Sequence, residues 1–244
     1  MWLRALRVHQ WLKNLLVFLP IVLAHRWRDW ALLTNVGLAA AAFCLCASSA
    51  YLVNDFLDRD ADRRHPSKRN RPLASGELAV RRGLAVAGAL LVGAAAIAAQ
   101  LNMQVTACLA IYYGLAIAYS AWIKRVAVID VILLAALYTL RVLAGSAAAA
   151  IEPSFWLLAF SIFIFLSLAL VKRYAEIDAT TRASGDTLVG RGYERDDAAL
   201  LLGLGPSAGF VAVLVLALYI NSPESLVLYR HPKALWLICP LLLY

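Results

Sequence analysis

The sequence contains no polar segment long enough to form a separate soluble domain, no internal repeat, and no sustained alternation of polar and apolar residues. The missing alternation argues against a transmembrane β-barrel. The missing repeat, with charge gathered on one side of the apolar runs rather than along a path through them, argues against a transporter. The four cysteines, Cys44, Cys46, Cys108 and Cys239, lie inside apolar runs with no metal-ligand spacing. They read as small core residues rather than as a disulfide framework or a zinc site.

What is present is apolar. Of 244 residues 63% are hydrophobic and the mean hydropathy is +0.73, where soluble domains run nearer half. Several runs reach the ~20 residues needed to cross a bilayer as a helix. The first is followed by many more, which makes a cleaved signal peptide a poor reading of it. The fold class predicted is therefore an all-α polytopic membrane protein. Eight candidate spans lie at 11–25, 32–53, 83–101, 103–122, 127–149, 153–171, 198–220 and 233–244. Pro153 is placed to open the sixth. The eighth, "KALWLICPLLLY", is short, and the chain reads as a single domain, 1–244, that ends within it.

A net charge of +8 would suggest nucleic acid in a soluble domain. Here the cations sit between spans, which points to lipid headgroups, topology and anionic substrates, and not to nucleic acid. The N-terminus and the loops after spans two, four and six share one side by alternation and hold 18 of the 23 basic residues. That asymmetry predicts a cytoplasmic N-terminus and cytoplasmic long loops, in a bacterial plasma membrane. Tryptophans such as Trp27 and Trp30 read as interfacial anchors.

The stretch "YLVNDFLDRDADRRHPSKRNRPLASG" (51–76) opens at the end of span two. Asp55, Asp58 and Asp62 fall at i, i+3 and i+7, one face of a continuing helix, with Asp60 roughly opposite. Three like charges at a lipid boundary are costly. A divalent cation relieves the cost, and Mg²⁺ favours one or two carboxylates plus substrate phosphates. The spacing therefore points to Mg²⁺, with Mn²⁺ as an alternative, and a diphosphate. The rival is a solvated juxtamembrane helix paired by Arg59, Arg63 and Arg64.

"NDFLDRDAD" (54–62) resembles the first aspartate-rich motif, N-D-x-x-D-x-x-x-D, of the UbiA superfamily of intramembrane transferases. "HPSKRNRPLASG" (65–76), "YSAWIKR" (119–125) and "RVHQWLKN" (7–14) resemble its other signatures, in the same order. The resemblance implies a ring of nine helices around a central cavity with a cytoplasmic cap, so a ninth helix is expected beyond the eight seen.

Aromatic prenyltransferases of that family carry a second aspartate-rich motif after the sixth helix. This chain reads "LVKRYAEIDATTRASGD" there, with Lys172 and Glu176 in place of a carboxylate pair. "KRYAE" and the later "GRGY" (190–193) resemble the subgroup that moves phosphoribose from 5-phosphoribosyl 1-diphosphate onto a polyprenyl phosphate. Those two reactants, with membrane lipids, are the partners implied.

On that resemblance Asp55, Asp58 and Asp62 hold the metal, and Asp58 or Glu176 orients the acceptor as the catalytic carboxylate. Lys13, Lys68, Arg71, Lys124, Lys172 and Arg173 contact phosphate, while Asn14, Asn54 and Tyr119 hydrogen-bond the donor. Several have plainer roles open to them. Lys172 and Glu176 could form an i, i+4 ion pair, Lys13 could snorkel, and Lys124 with Arg125 could serve topology alone. The alternative activity is prenyl transfer to an aromatic acceptor. Asp130 and Arg141, eleven residues apart and so about 16 Å along a helix, cannot pair. Asp130 is placed to brace the 124–125 segment, and Arg141 requires an internal partner the sequence does not name. "GPSAG" (205–209) predicts close helix packing.

Overall fold

The computed structural model describes residues 1–64, 68–184 and 192–243, and among them it is helical throughout, with no strand. In chain order come α1 (Trp2–Ala5), a 3₁₀ helix Val8–Phe18, α2 (Leu19–Leu23), α3 (Trp30–Leu57), α4 (Arg59–Arg64) and α5 (Pro72–Ser75). There follow α6 (Val80–Ala99), α7 (Met103–Ala121), α8 (Ile129–Ala148), α9 (Phe155–Ser184), α10 (Asp197–Ile220), α11 (Pro223–Leu228) and α12 (Ile238–Leu243). Six of these, α3 and α6 to α10, are long and apolar enough to cross a membrane. Two of the eight expected spans are not such helices. Residues 11–25 form mainly the 3₁₀ helix and the short α2, and 233–244 lie in a 3₁₀ helix Pro232–Leu237 followed by α12.

Contacts divide the chain into two units, residues 1–121 with 140–152 and residues 122–139 with 153–244; α8 contributes its C-terminal half to the first and its N-terminal half to the second.

In the first unit α3 is the central element. Asp29 caps it by accepting the Leu32 amide at 3.3 Å. Its middle, "AAAAFCLCASSA", is nearly all small residues, and many of them are buried. Small side chains let helices approach closely where lipid gives no hydrophobic drive. The Ser49 hydroxyl accordingly donates to the Ala87 carbonyl of α6 at 2.8 Å. The turn between α6 and α7 is tight. Asn102 accepts the Val105 amide at 2.8 Å and donates to the Ala147 carbonyl at 2.9 Å.

The segment 8–18 departs from the α-helix for visible reasons. Trp11 donates to the Ser48 hydroxyl at 3.0 Å, and Ser48 donates to the Leu6 carbonyl at 2.9 Å. A Cβ on Gly145 would stand 2.0 Å from the Val17 carbonyl oxygen, so this backbone lies directly on α8 where only glycine fits. Over eleven residues an apolar pattern does not separate a period of about 3.0 from one of about 3.6, so such a segment reads as an α-helix.

In the second unit α9 and α10 pack along their length. Gly205 and Gly209, four apart, face α9, and Ser167 donates to the Gly205 carbonyl at 2.7 Å. The "GPSAG" expectation matches this packing. Helix α9 opens at Phe155, two residues after Pro153, and runs on to Ser184. The "KRYAE" residues, expected in a loop, are therefore helical. Tyr174 of that segment packs against the second unit's core of Val131, Leu170, Ile177, Tyr193 and Leu201.

Candidate active site

Helix α3 ends at Leu57, Asp58 occupies its C-cap, and α4 begins at Arg59. Helical hydrogen bonds nevertheless run through the junction, from the Asp58 amide to Asn54 at 2.9 Å and from the Asp62 amide to Asp58 at 2.8 Å. The register read from the sequence is thereby kept. Asp55 and Asp62 are each only 3% exposed, whereas Asp58 is half-buried.

The two buried carboxylates converge on one cation. Arg71 Nη1 lies 3.2 Å from Asp55 Oδ1 and 2.7 Å from Asp62 Oδ2. Arg7 adds a second guanidinium, its Nη2 2.5 Å from Asp55 Oδ1, with its plane over the Tyr51 ring at 4.8 Å. Arg7 holds this position with φ at 50°, a left-handed conformation uncommon outside glycine. Such strained backbone clusters at functional sites. Arg7 was not among the expected site residues, because neither its backbone conformation nor its reach to Asp55 leaves a mark in the sequence.

Asp60 is exposed and pairs only with Arg59 and Arg63, at 3.5 and 3.8 Å, among the described residues. Arg63 also donates to the Ala74 carbonyl at 3.1 Å.

No group of three or more His, Cys, Asp or Glu is gathered to hold a metal among the described residues. The structure instead brings together two carboxylates around a positive centre supplied by Arg71. Two carboxylates suit Mg²⁺, which fills its remaining positions with water and phosphate oxygens. The donor set therefore fits the ion.

Other expected residues fall elsewhere. Asn14 is buried and accepts from Arg141 Nε at 2.8 Å, and it donates to Cys44 Sγ at 3.2 Å. Arg141 also donates to the Tyr112 hydroxyl at 2.8 Å. These two side chains are internal partners that the sequence did not name for Arg141. Lys13, Asn54, Lys68 and Tyr119 are half-buried in the first unit.

In the second unit Arg173, expected to touch phosphate, is 2% exposed. Its Nη2 meets Asp130 Oδ2 at 2.5 Å, and its Nη1 meets the Glu176 carboxylate. The pairing of Glu176 is thus i, i+3 with Arg173; Lys172 is exposed on the helix surface and Lys124 is half-buried. Tyr193 donates to Asp130 Oδ1 at 2.5 Å and accepts the Val128 amide at 2.9 Å. Burial, then the Asp130 carboxylate it bonds, push the Tyr193 phenol up to about 12. Through Tyr193, Asp130 thus holds the Val128 amide, three residues after Arg125. His65, Pro66 and Ser67 of one motif, and Gly190 and Arg191 of another, lie outside the described residues.

Six membrane-length helices, with Asp55 and Asp62 buried on Arg71 where a span meets charged sequence, define a multi-pass membrane protein of a particular kind. The UbiA prenyltransferase family model matches residues 15–244, and the chain belongs to that family. Its fold matches that of a UbiA homolog from Archaeoglobus fulgidus bound to DMAPP and Mg²⁺, with a TM-score of 0.78 at 21% identity over 99% of this chain and 83% of that one.

Three relatives are more similar in sequence. A decaprenyl-phosphate phosphoribosyltransferase of Mycolicibacterium smegmatis is 38% identical over 186 residues, 74% of this chain and 58% of that one. Nodulation protein NoeC of Azorhizobium caulinodans is 39% identical over 217 residues, 89% of this chain and 70% of that one. An uncharacterized protein of Sinorhizobium fredii is 36% identical over 96% of this chain and spans more than twice its length, so that the match covers 46% of it.

Proposed function

We propose that the protein transfers 5-phosphoribose from 5-phosphoribosyl 1-diphosphate to a polyprenyl phosphate of the decaprenyl type and releases diphosphate, for the synthesis of cell-envelope polysaccharide precursors. The observation that carries the reading is the buried pair Asp55 and Asp62 on Arg71, in a chain that over 74% of its length is 38% identical to a decaprenyl-phosphate phosphoribosyltransferase. The membrane is the bacterial plasma membrane, with this site on its cytoplasmic side, following the distribution of basic residues.

Asp55 and Asp62, with Asp58 beside them, hold a divalent ion. When bound, such an ion neutralises charge that develops on the leaving diphosphate. Arg71 and Lys68 take phosphate oxygens directly, Arg71 as a bidentate fork once released from the carboxylates. Asn54 and Tyr119 hydrogen-bond the donor, and Lys13, Lys124 and Lys172 contact its phosphates. An acceptor phosphate oxygen attacks C1 of the ribose as the C1–O bond to diphosphate breaks, inverting C1. A phosphate monoester is already anionic near neutral pH, so no strong base is required. Asp58 orients the acceptor in preference to Glu176, whose carboxylate is engaged by Arg173. Asn14 and Arg173 are each committed to an internal partner and make no phosphate contact.

The test is transfer of label by the purified full chain with Mg²⁺. Label from the ribose of 5-phosphoribosyl 1-diphosphate should appear on polyprenyl phosphate. Failure of that transfer, with alkylation of 4-hydroxybenzoate by a prenyl diphosphate, would establish the aromatic prenyltransferase reading instead.

A further inference from the structure

Arg173 of "KRYAE" and the pair Gly192–Tyr193, set apart in the sequence, meet in the second unit on a third element, the turn that follows Lys124 and Arg125. That turn is strained. Val128 has φ at 67°, and the Ile129 amide donates to the Ala127 carbonyl at 2.8 Å. This is the rare γ-turn with positive φ. A β-branched residue there is a marked outlier. Conformations of this kind cost about 1–3 kcal/mol and persist only where the surroundings impose them.

The surroundings here are specific. The Val128 amide is held by the Tyr193 hydroxyl at 2.9 Å, and that hydroxyl is anchored on Asp130 at 2.5 Å. Asp130 is anchored in turn by Arg173, whose guanidinium lies over the Tyr193 ring at 5.5 Å. Gly192 closes the assembly, since a Cβ there would stand 2.1 Å from the Arg125 carbonyl oxygen. The chain therefore lies against the back of the Lys124–Arg125 turn. Tyr193 and Asp130 are 3% and 0% exposed, so both act behind the turn rather than on a ligand.

We infer that Tyr193 is a positioning residue. With Gly192 it clasps the strained turn at 127–129 and thereby sets Lys124 for its phosphate contact. The inference rests on the reading of Lys124 as a donor-phosphate ligand. Arg173 of the helical "KRYAE" segment then acts indirectly, by fixing Asp130 and through it the clasp, rather than on substrate.

Tyr193→Phe in the full-length chain removes the hydroxyl and keeps the ring. Two readouts follow. Hydrogen exchange at the Val128 amide should speed at least tenfold. The KM for 5-phosphoribosyl 1-diphosphate should rise about tenfold with kcat within twofold. Lys124→Gln should raise the same KM, and the double variant should raise it no further, because both changes remove one contact. Additive effects, or loss of kcat at unchanged KM, would overturn the positioning role. Unchanged exchange at Val128 would overturn the clasp itself. That readout needs no turnover, so it stands even if the wild-type chain proves not to use this donor. Should Tyr193→Phe not fold, Asp130→Asn, which keeps the volume and weakens the anchor, is read in the same way.

Discussion

Arg71 sits between two carboxylates that water scarcely reaches, and its removal gives a prediction with a calculable size. In Arg71→Ala, Asp55 keeps Arg7, but Asp62 loses the cation it meets at 2.7 Å. Removing one partner of a buried ion pair costs about 3–5 kcal/mol. The Arg71 side chain is 25% exposed, so water partly fills the gap and the lower end, about 3 kcal/mol, applies. That is roughly a hundredfold in the unfolding equilibrium. The assay is unfolding of the purified chain in detergent, once with EDTA and once across a Mg²⁺ titration. The variant should lose the full amount in EDTA and regain most of it with Mg²⁺, since two carboxylates freed of their guanidinium are a ready cation site. Wild type should respond to Mg²⁺ much less. A variant within about 0.5 kcal/mol of wild type in EDTA, the range of an ordinary surface change, would refute the reasoning. So would a loss that Mg²⁺ leaves untouched.

Asp55→Ala and Asp58→Ala should abolish turnover, while Asp60→Ala, which removes only exposed pairs worth about 0–1 kcal/mol, should retain most of it; equal loss at all three would end the distinction between the site and its surface neighbour. Gly145→Ala should destabilise the chain by about 1–3 kcal/mol through overpacking, because its Cβ would meet the Val17 carbonyl oxygen at 2.0 Å. An unchanged melting profile would show that the 8–18 segment gives way freely. Lys172→Asp should raise the donor KM with stability unchanged, as the residue is exposed. A donor KM equal to wild type would leave Lys172 without a role in binding.

Local patterns in the sequence transferred well to the structure. The i, i+3, i+7 spacing of Asp55, Asp58 and Asp62 survives the C-cap at Asp58, because hydrogen bonds carry the register across it. Gly205 and Gly209 face their neighbour as small residues four apart should. Pairings across long separations did not transfer. Arg141 finds Asn14 across 127 residues, and Asp130 finds Arg173 and Tyr193 across 43 and 63. Charge and hydrophobicity along a chain do not encode which distant helix a buried cation will meet. Arg173 illustrates the difference. A cation beside Lys172 reads as a phosphate ligand, yet one step round a helix turns it inward to a buried carboxylate. The 3₁₀ segment was hidden for another reason, since its irregularity is imposed by Gly145 and Ser48 on other helices.

Whether Asp55 and Asp62 form the metal–diphosphate site, with Arg71 holding their place, is decided by a structure determined with 5-phosphoribosyl 1-diphosphate and Mg²⁺. It should show an ion bound by both carboxylates and the donor diphosphate, with the Arg71 guanidinium moved from between them onto a phosphate oxygen. Donor bound elsewhere, with Arg71 still bridging Asp55 and Asp62, would contradict it.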